Sequence, residues 1–289
     1  MSNAYNQARH LAEKQVHKAR QSGRFPFLPA LEYMLPRGEF INEEHVGIME
    51  IPLAQITGTM TEGRQDSFSY GFMPFLPGNS EFAAKWSALY DAQQTEGIRD
   101  AIKVYEYLRR FYVLEGHKRV SVMKYLGAEL IEADIIRVLP EDLESPVYAQ
   151  YREFLEFFKA ARIYALSFTE PGGYVRLAKA LGQDLTHPWS PDFCRDLRGA
   201  YFYFSEVYTS KGGDRLPISS GDAFLDFLER YSLEELWKMG KDELGKKIAE
   251  MLSLLTAGEG RISLMDLTME GGSRFMSWWG ILQRWRRKS

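Results

Sequence analysis

A single cysteine, Cys194, is all the thiol chemistry in the 289 residues, which excludes an internal disulfide framework and any zinc site built from several cysteines. A reducing compartment is the expected setting. Histidine is scarce too, with five in the chain and none paired at metal-ligand spacing, so a histidine-based zinc centre is not expected. Apolar runs of the ~18 residues needed to span a bilayer are missing, and the first twenty positions are interrupted by charges throughout. Neither a spanning helix nor a signal peptide is encoded, and a cytoplasmic location is expected. A dominant charge is also lacking: Lys+Arg 36 against Asp+Glu 39 gives a formal charge of -3. Any contact with a polyanion would therefore have to be local. No repeat of fixed period is visible. What the chain does have is 45% hydrophobic residues, with aromatics making up 14% of the whole chain, enough to build a substantial core in one large or two ordinary domains.

Residues 5–20 place Tyr5, Ala8, Leu11, Ala12, Val16 and Ala19 at the three-and-four spacing of an amphipathic helix that Gly23 can end. Residues 25–37 carry Pro26, Pro29 and Pro36 among large apolar side chains, the composition of a packed connector with at most one short helix over 30–35. A short strand is predicted over 46–51, ended by Pro52, followed by a turn at 53–57. From Gly58 to Asn79 the chain lacks a period yet is rich in rings, above all in Phe68-Ser69-Tyr70-Gly71-Phe72-Met73-Pro74-Phe75. This pattern predicts an ordered functional loop. A helix over 81–91 is capped by Asn79 or Ser80. Strands over 101–107 and 111–115 form a hairpin with Arg109 and Arg110 in its connection. A helix over 120–126 ends at Gly127, and a strand over 131–138 ends before Pro140.

Beyond Pro140 the texture is aromatic and helical. The spacing predicts a helix over 148–160, a last strand over 162–168, and a helix over 174–181 entered through Pro171-Gly172-Gly173. Ser190 and Pro191 start a helix reaching about residue 209, Ser220 or Asp222 starts another, and Ser232 with Glu235 forms a capping box for a third.

The chemistry-bearing feature is Gly116-His117-Lys118-Arg119, set between a strand and a helix. Helix-start amides there face outward, the helix dipole adds roughly half a positive charge, and Lys118 and Arg119 bring two full charges, so phosphate is the expected guest. Glu115 at the strand end could accept a hydroxyl proton in phosphoryl transfer. Glu62 and Asp66 flank Arg64 in the long loop and are weaker candidates for a magnesium ligand or base. Pro171-Gly172-Gly173 and Lys211-Gly212-Gly213-Asp214 lack the G-K-[ST] continuation of a P-loop and are expected to be turns. The C-terminal run with Trp278, Trp279, Ile281, Leu282, Arg284, Trp285, Arg286, Arg287 and Lys288 is an amphipathic segment, able to dock on protein or to grip an anionic surface.

In their order of parts, residues 46–138, about a third of the chain, resemble the N-terminal domain of the ParB/sulfiredoxin superfamily. Those parts are a strand ending Ile51-Pro52-Leu53, a loop with Gly63-Arg64, a hairpin, the box Glu115-Gly116-His117-Lys118-Arg119-Val120-Ser121-Val122, a helix, and a closing strand. The box is similar to the G-E-R-R of ParB proteins and to the D-G-H-H-R of the superfamily's free serine kinases. The whole chain is also similar to a set of bacterial ParB-like proteins. The resemblance implies that Gly116, His117, Lys118, Arg119 and Ser121 contact nucleotide phosphates, with Arg64 as a second clamp. Sulfiredoxins carry a cysteine in their box where this chain has His117, which argues against that chemistry, and no basic helix-turn-helix follows to read DNA.

The expectation is thus an α+β chain: an N-terminal helix and connector (1–45), a ParB/sulfiredoxin-like mixed α/β nucleotide-binding domain (46–140), and a mainly helical domain (141–289) with a boundary near Glu141 to Ser145. The cofactor expected is a nucleoside di- or triphosphate, CTP or ATP, with Mg2+ as an optional companion. The function expected is nucleotide-dependent regulation, with a homodimer or protein partner held by the helical domain. The alternatives are a small-molecule kinase or nucleotide hydrolase, and a DNA-binding partition or transcription factor.

Overall fold

The computed structural model describes residues 3–35, 43–97, 100–140, 144–216 and 218–258. Arg37 of the connector, most of the expected boundary and the tryptophan-rich C-terminal run lie outside them. The chain divides into two compact units, Met1–Phe202 and Tyr203–Ser289.

The first unit opens with α1 (Asn3–Gln21), whose buried stripe is Ala4, Tyr5, Ala8, Ala12, Val16 and Ala19. Leu11, expected on that stripe, is exposed. Small alanines let the helix lie close to its neighbours, while Tyr5 meets Phe82 and Trp86 edge-on at 6.5 and 5.5 Å. The proline-rich connector is packed, as expected: Pro29 accepts from the Thr59 amide and Pro26 from the Tyr70 amide, and a 3-10 turn forms over Leu31–Tyr33.

Five strands form one mixed sheet among the described residues, ordered β1-β5-β3-β4-β2. They are β1 (Glu43–Pro52), β2 (Ile56–Thr59), β3 (Ile102–Tyr107), β4 (Arg110–Glu115) and β5 (Leu130–Val138). The β1–β5 and β3–β4 pairs are antiparallel, whereas β3–β5 and β2–β4 are parallel. Strand β2 corrects the expected turn and loop at 53–59. Its four residues are too few to show alternation, and they become a strand only because β4 supplies a parallel partner. Gly58 there lies so close to the connector that a Cβ would collide with the Pro29 carbonyl oxygen.

Helix α2 (Glu81–Thr95) is capped by the Ser80 hydroxyl, and α3 (His117–Tyr125) links β4 to β5. The β3–β4 connection is two residues, Leu108 and Arg109, both at positive φ (50° and 64°), so Arg110 already belongs to β4. Side chains at such a turn are strained. Arg109 compensates: its amide donates to Glu106 Oε1 at 2.7 Å, and its guanidinium donates to the carbonyls of Tyr164 and Leu166 and to the Tyr174 hydroxyl.

Those bonds also explain the missing strand over 162–168. Ile163, Tyr164, Leu166 and Phe168 are buried in the alternating manner of a strand. Yet Arg162 turns left-handed (φ 54°) to end α4 (Pro146–Ala161), and a guanidinium replaces the neighbouring backbone as donor. An aromatic cluster binds α4, this segment and α5 (Gly173–Ala180): Phe154 meets Tyr164 at 5.4 Å and Phe157 stacks on Tyr174 at 4.7 Å.

At the centre of this layer the carboxylate of Glu106, fully buried, accepts from Arg137 Nε at 2.6 Å and from the Tyr151 hydroxyl at 2.8 Å. Arg137 also donates to Tyr164 and Glu44.

Helix α6 (Pro191–Ser210), begun by the Ser190 hydroxyl, contains the division between the units. The described part of the second unit is helical: α7 (Ser220–Leu228), which starts at Ser220 as expected and is capped by the Ser219 hydroxyl, α8 (Leu233–Lys238) with the expected capping box, and α9 (Lys241–Gly258). Phe204 packs on Phe224 and Phe227, both at 5.3 Å. Among the described residues no helix is long and apolar enough to cross a membrane.

The buried ion pair makes a prediction. Glu106→Gln leaves the Arg137 charge unbalanced in the core and should destabilise the first unit by about 3–5 kcal/mol, while Glu106→Leu with Arg137→Met should recover most of that loss. Urea unfolding followed by tryptophan fluorescence measures both. A loss below about 1 kcal/mol for Glu106→Gln would show that the pair is not buried as described.

Candidate functional site

Strand β4 ends at Glu115, and Gly116 starts α3 with φ 103° and ψ 16°. That left-handed conformation suits glycine, and space demands it as well, since a Cβ would sit 2.5 Å from Ile102 Cγ2. The first bond within the helix runs from the Val120 amide to the Gly116 carbonyl at 3.0 Å, so the amides of His117, Lys118 and Arg119 have no acceptor within it.

The side chains of the box go in different directions. His117 turns inward: it is 9% exposed, its Nε2 lies 2.9 Å from Thr59 Oγ1, and its ring stacks on Phe68 at 6.1 Å between centroids. Burial, with the nearby positive charges of Arg64 and Lys118, pushes its pKa down from 6.5 to about 4. Lys118 lies over the face of Phe82, its Nζ 4.6 Å from the centroid, and burial followed by the charges of Arg64 and Lys85 lowers its pKa. Arg119 points elsewhere: its Nη1 donates to the carbonyls of Asp100 and Ala101 at 2.6 and 2.9 Å, and it helps line a cleft of about 400 Å³ with Glu50, Glu132 and Met123. Ser121 is fully buried and accepts from Trp86 Nε1 at 2.8 Å.

Arg64 is exposed on a 3-10 turn (Glu62–Ser67), near enough to His117 and Lys118 to perturb both. The turn is tied by the Glu62 amide, which donates to Glu32 Oε1 at 2.5 Å. No ion pair of Arg64 or Lys118 within 4.0 Å is seen among the described residues; the Glu81 carboxylate, which pairs with Lys85 at 2.6 Å, also acts on Lys118. Glu115 is exposed on the hairpin and pairs with Lys103 at 3.2 Å.

The structure therefore groups Gly116, Lys118 and Arg64 with the first amides of α3, and assigns Arg119, Ser121 and the His117 ring to holding that helix in place. Glu62 and Asp66 lie on the Arg64 turn, and among the described residues no three His, Cys, Asp or Glu side chains gather as metal ligands. Thr59 and Phe82, which help position the corner, escaped the sequence reasoning, whereas Phe68 belongs to the aromatic loop expected to be functional. Nothing local marks Thr59 as the partner of a histidine 58 residues away.

No family profile matches the chain, and no curated protein does. Among solved structures it is similar to sulfiredoxin from Arabidopsis thaliana, with 22% identity over 32% of this chain and 86% of that one, at a TM-score of 0.23. Nothing about this chain's chemistry follows from that likeness.

A neutral buried histidine gives stability a sign with pH. Because the folded pKa lies below the unfolded one, the contribution is complete above pH 6.5 and disappears as pH falls toward 4. Relative to His117→Gln, the wild type should lose about 3 kcal/mol across that window, measured as urea midpoints at successive pH values. Parallel profiles for the two proteins would refute the inward, neutral ring.

Proposed function

We propose that the chain is a nucleotide-binding regulatory protein whose phosphate-recognition element is the corner made by Gly116, the first amides of α3, Lys118 and Arg64. The observation that supports this reading is that Lys118, in the first turn of α3, feels the positive charges of Arg64 and Lys85 more strongly than the negative charge of Glu81. Like charges held close together repel, and an oxyanion between them removes that cost while accepting charge-assisted hydrogen bonds from both. The amides and helix dipole add donors on the same side.

The resemblance of the box to ParB-type boxes supports a nucleoside phosphate over other anions, although the roles are redistributed. Arg119 serves the backbone before β3, and Arg64 takes the place expected for it. Phosphoryl transfer with Glu115 as base draws no support from the geometry, since that carboxylate is engaged with Lys103.

Titration calorimetry of the full chain with inorganic pyrophosphate, CTP and ATP should show binding that weakens with added salt. Lys118→Gln and Arg64→Gln should each weaken it about tenfold. Arg119→Gln should lower the melting temperature and leave affinity within about a factor of three. If none of the three compounds binds, the proposal fails.

A further inference from the structure

The loop of residues 68–75 is an ordered strap that touches both ends of α3. Its backbone is closed by bonds from the Ser69 amide to Met73 O, the Phe72 amide to Ser69 O and the Phe75 amide to Ser67 O, each 2.9 Å. At one end Phe68 stacks on His117, the first residue of α3. At the other the Phe72 ring lies 4.9 Å from Nζ of Lys124, in the last turn, whose amine also donates to Ile56 O at 2.8 Å.

Both contacts near the strap's centre carry a cost. Phe72 is fully buried at φ 64°, a left-handed conformation unusual for a bulky side chain. Lys124 has no carboxylate partner among the described residues, and burial pushes its pKa down to about 8. Both costs are relieved when the segment opens, which lowers the free energy needed to open it. If it opens, His117 loses the ring that stacks on it and keeps Thr59, and the first turn of α3 loses one anchor while Arg119 and Ser121 retain theirs.

We propose that the strap and the anion corner form one coupled unit, with His117 as the shared part: the closed strap holds the amides of α3 in place, and an anion bound there keeps the strap closed. The proposal rests on the anion reading of that corner. The coupling must be reciprocal, because a ligand that needs the formed helix start binds the closed strap better and so depopulates the open one.

Hydrogen exchange of the full chain, followed by mass spectrometry with and without saturating inorganic pyrophosphate, tests it. Exchange in peptides covering 69–75 should slow about fivefold or more when pyrophosphate is bound. Phe68→Leu should speed that exchange in the free protein and weaken pyrophosphate binding about fivefold. Should Phe68→Leu fail to fold, Ser69→Ala, which removes the hydroxyl holding Gln15 and the Met73 amide, should give the same paired effects at smaller size. If calorimetry on the same samples shows pyrophosphate bound while strap exchange is unchanged, the coupling is overturned and the anion reading stands. Absence of binding overturns both.

Discussion

The Glu106–Arg137 ion pair constrains the first unit more tightly than any apolar contact, because neither charge has water to fall back on. Glu106 is 0% and Arg137 4% exposed, so every donor and acceptor around them must come from the protein. Those partners are drawn from β1, from the β3–β4 turn, from α4 and from the segment after it. Sliding any of these along the sheet would strand a charge, so the pair fixes register where apolar packing alone would tolerate shifts. The β3–β4 hairpin is thereby held at its turn, and its other end delivers Gly116 in a fixed position to begin α3.

From that point α3 distributes its first residues as helical geometry requires. Neighbouring positions project about 100° apart, so consecutive side chains leave the helix in different directions. His117 goes inward to Thr59 and Phe68, Lys118 outward over Phe82, and Arg119 sideways to the carbonyls before β3. The second cation of the corner comes instead from Arg64, more than fifty residues earlier, carried on a 3-10 turn. The inward histidine is what joins the corner to the core, and its neutrality between two positive charges follows from the same burial that makes it an anchor.

The helices were legible because their signals are local. The alanine stripe of α1, the Ser80 and Ser190 caps and the Ser232/Glu235 capping box each lie within a few residues of the ends they define. The hairpin and β5 were legible from short β-branched and aromatic runs bounded by turn residues. Strand β2 was not, since four residues with a glycine among them carry no period. The segment over 162–168 misled for the opposite reason: its burial alternates as in a strand, but its carbonyls found a guanidinium instead of a neighbouring strand.

The amino-acid sequence by itself determined the helices, the glycine that opens α3 and the presence of cations beside it, because propensity, capping and left-handed backbone are properties of a few consecutive residues. Only the tertiary structure decided that Arg64 lies near enough to act on Lys118 while Arg119 turns to the carbonyls before β3, that Ser121 serves Trp86, and that the aromatic loop closes on both ends of one helix. Those outcomes depend on which distant side chains share a small volume, and in the sequence nothing local records that distance.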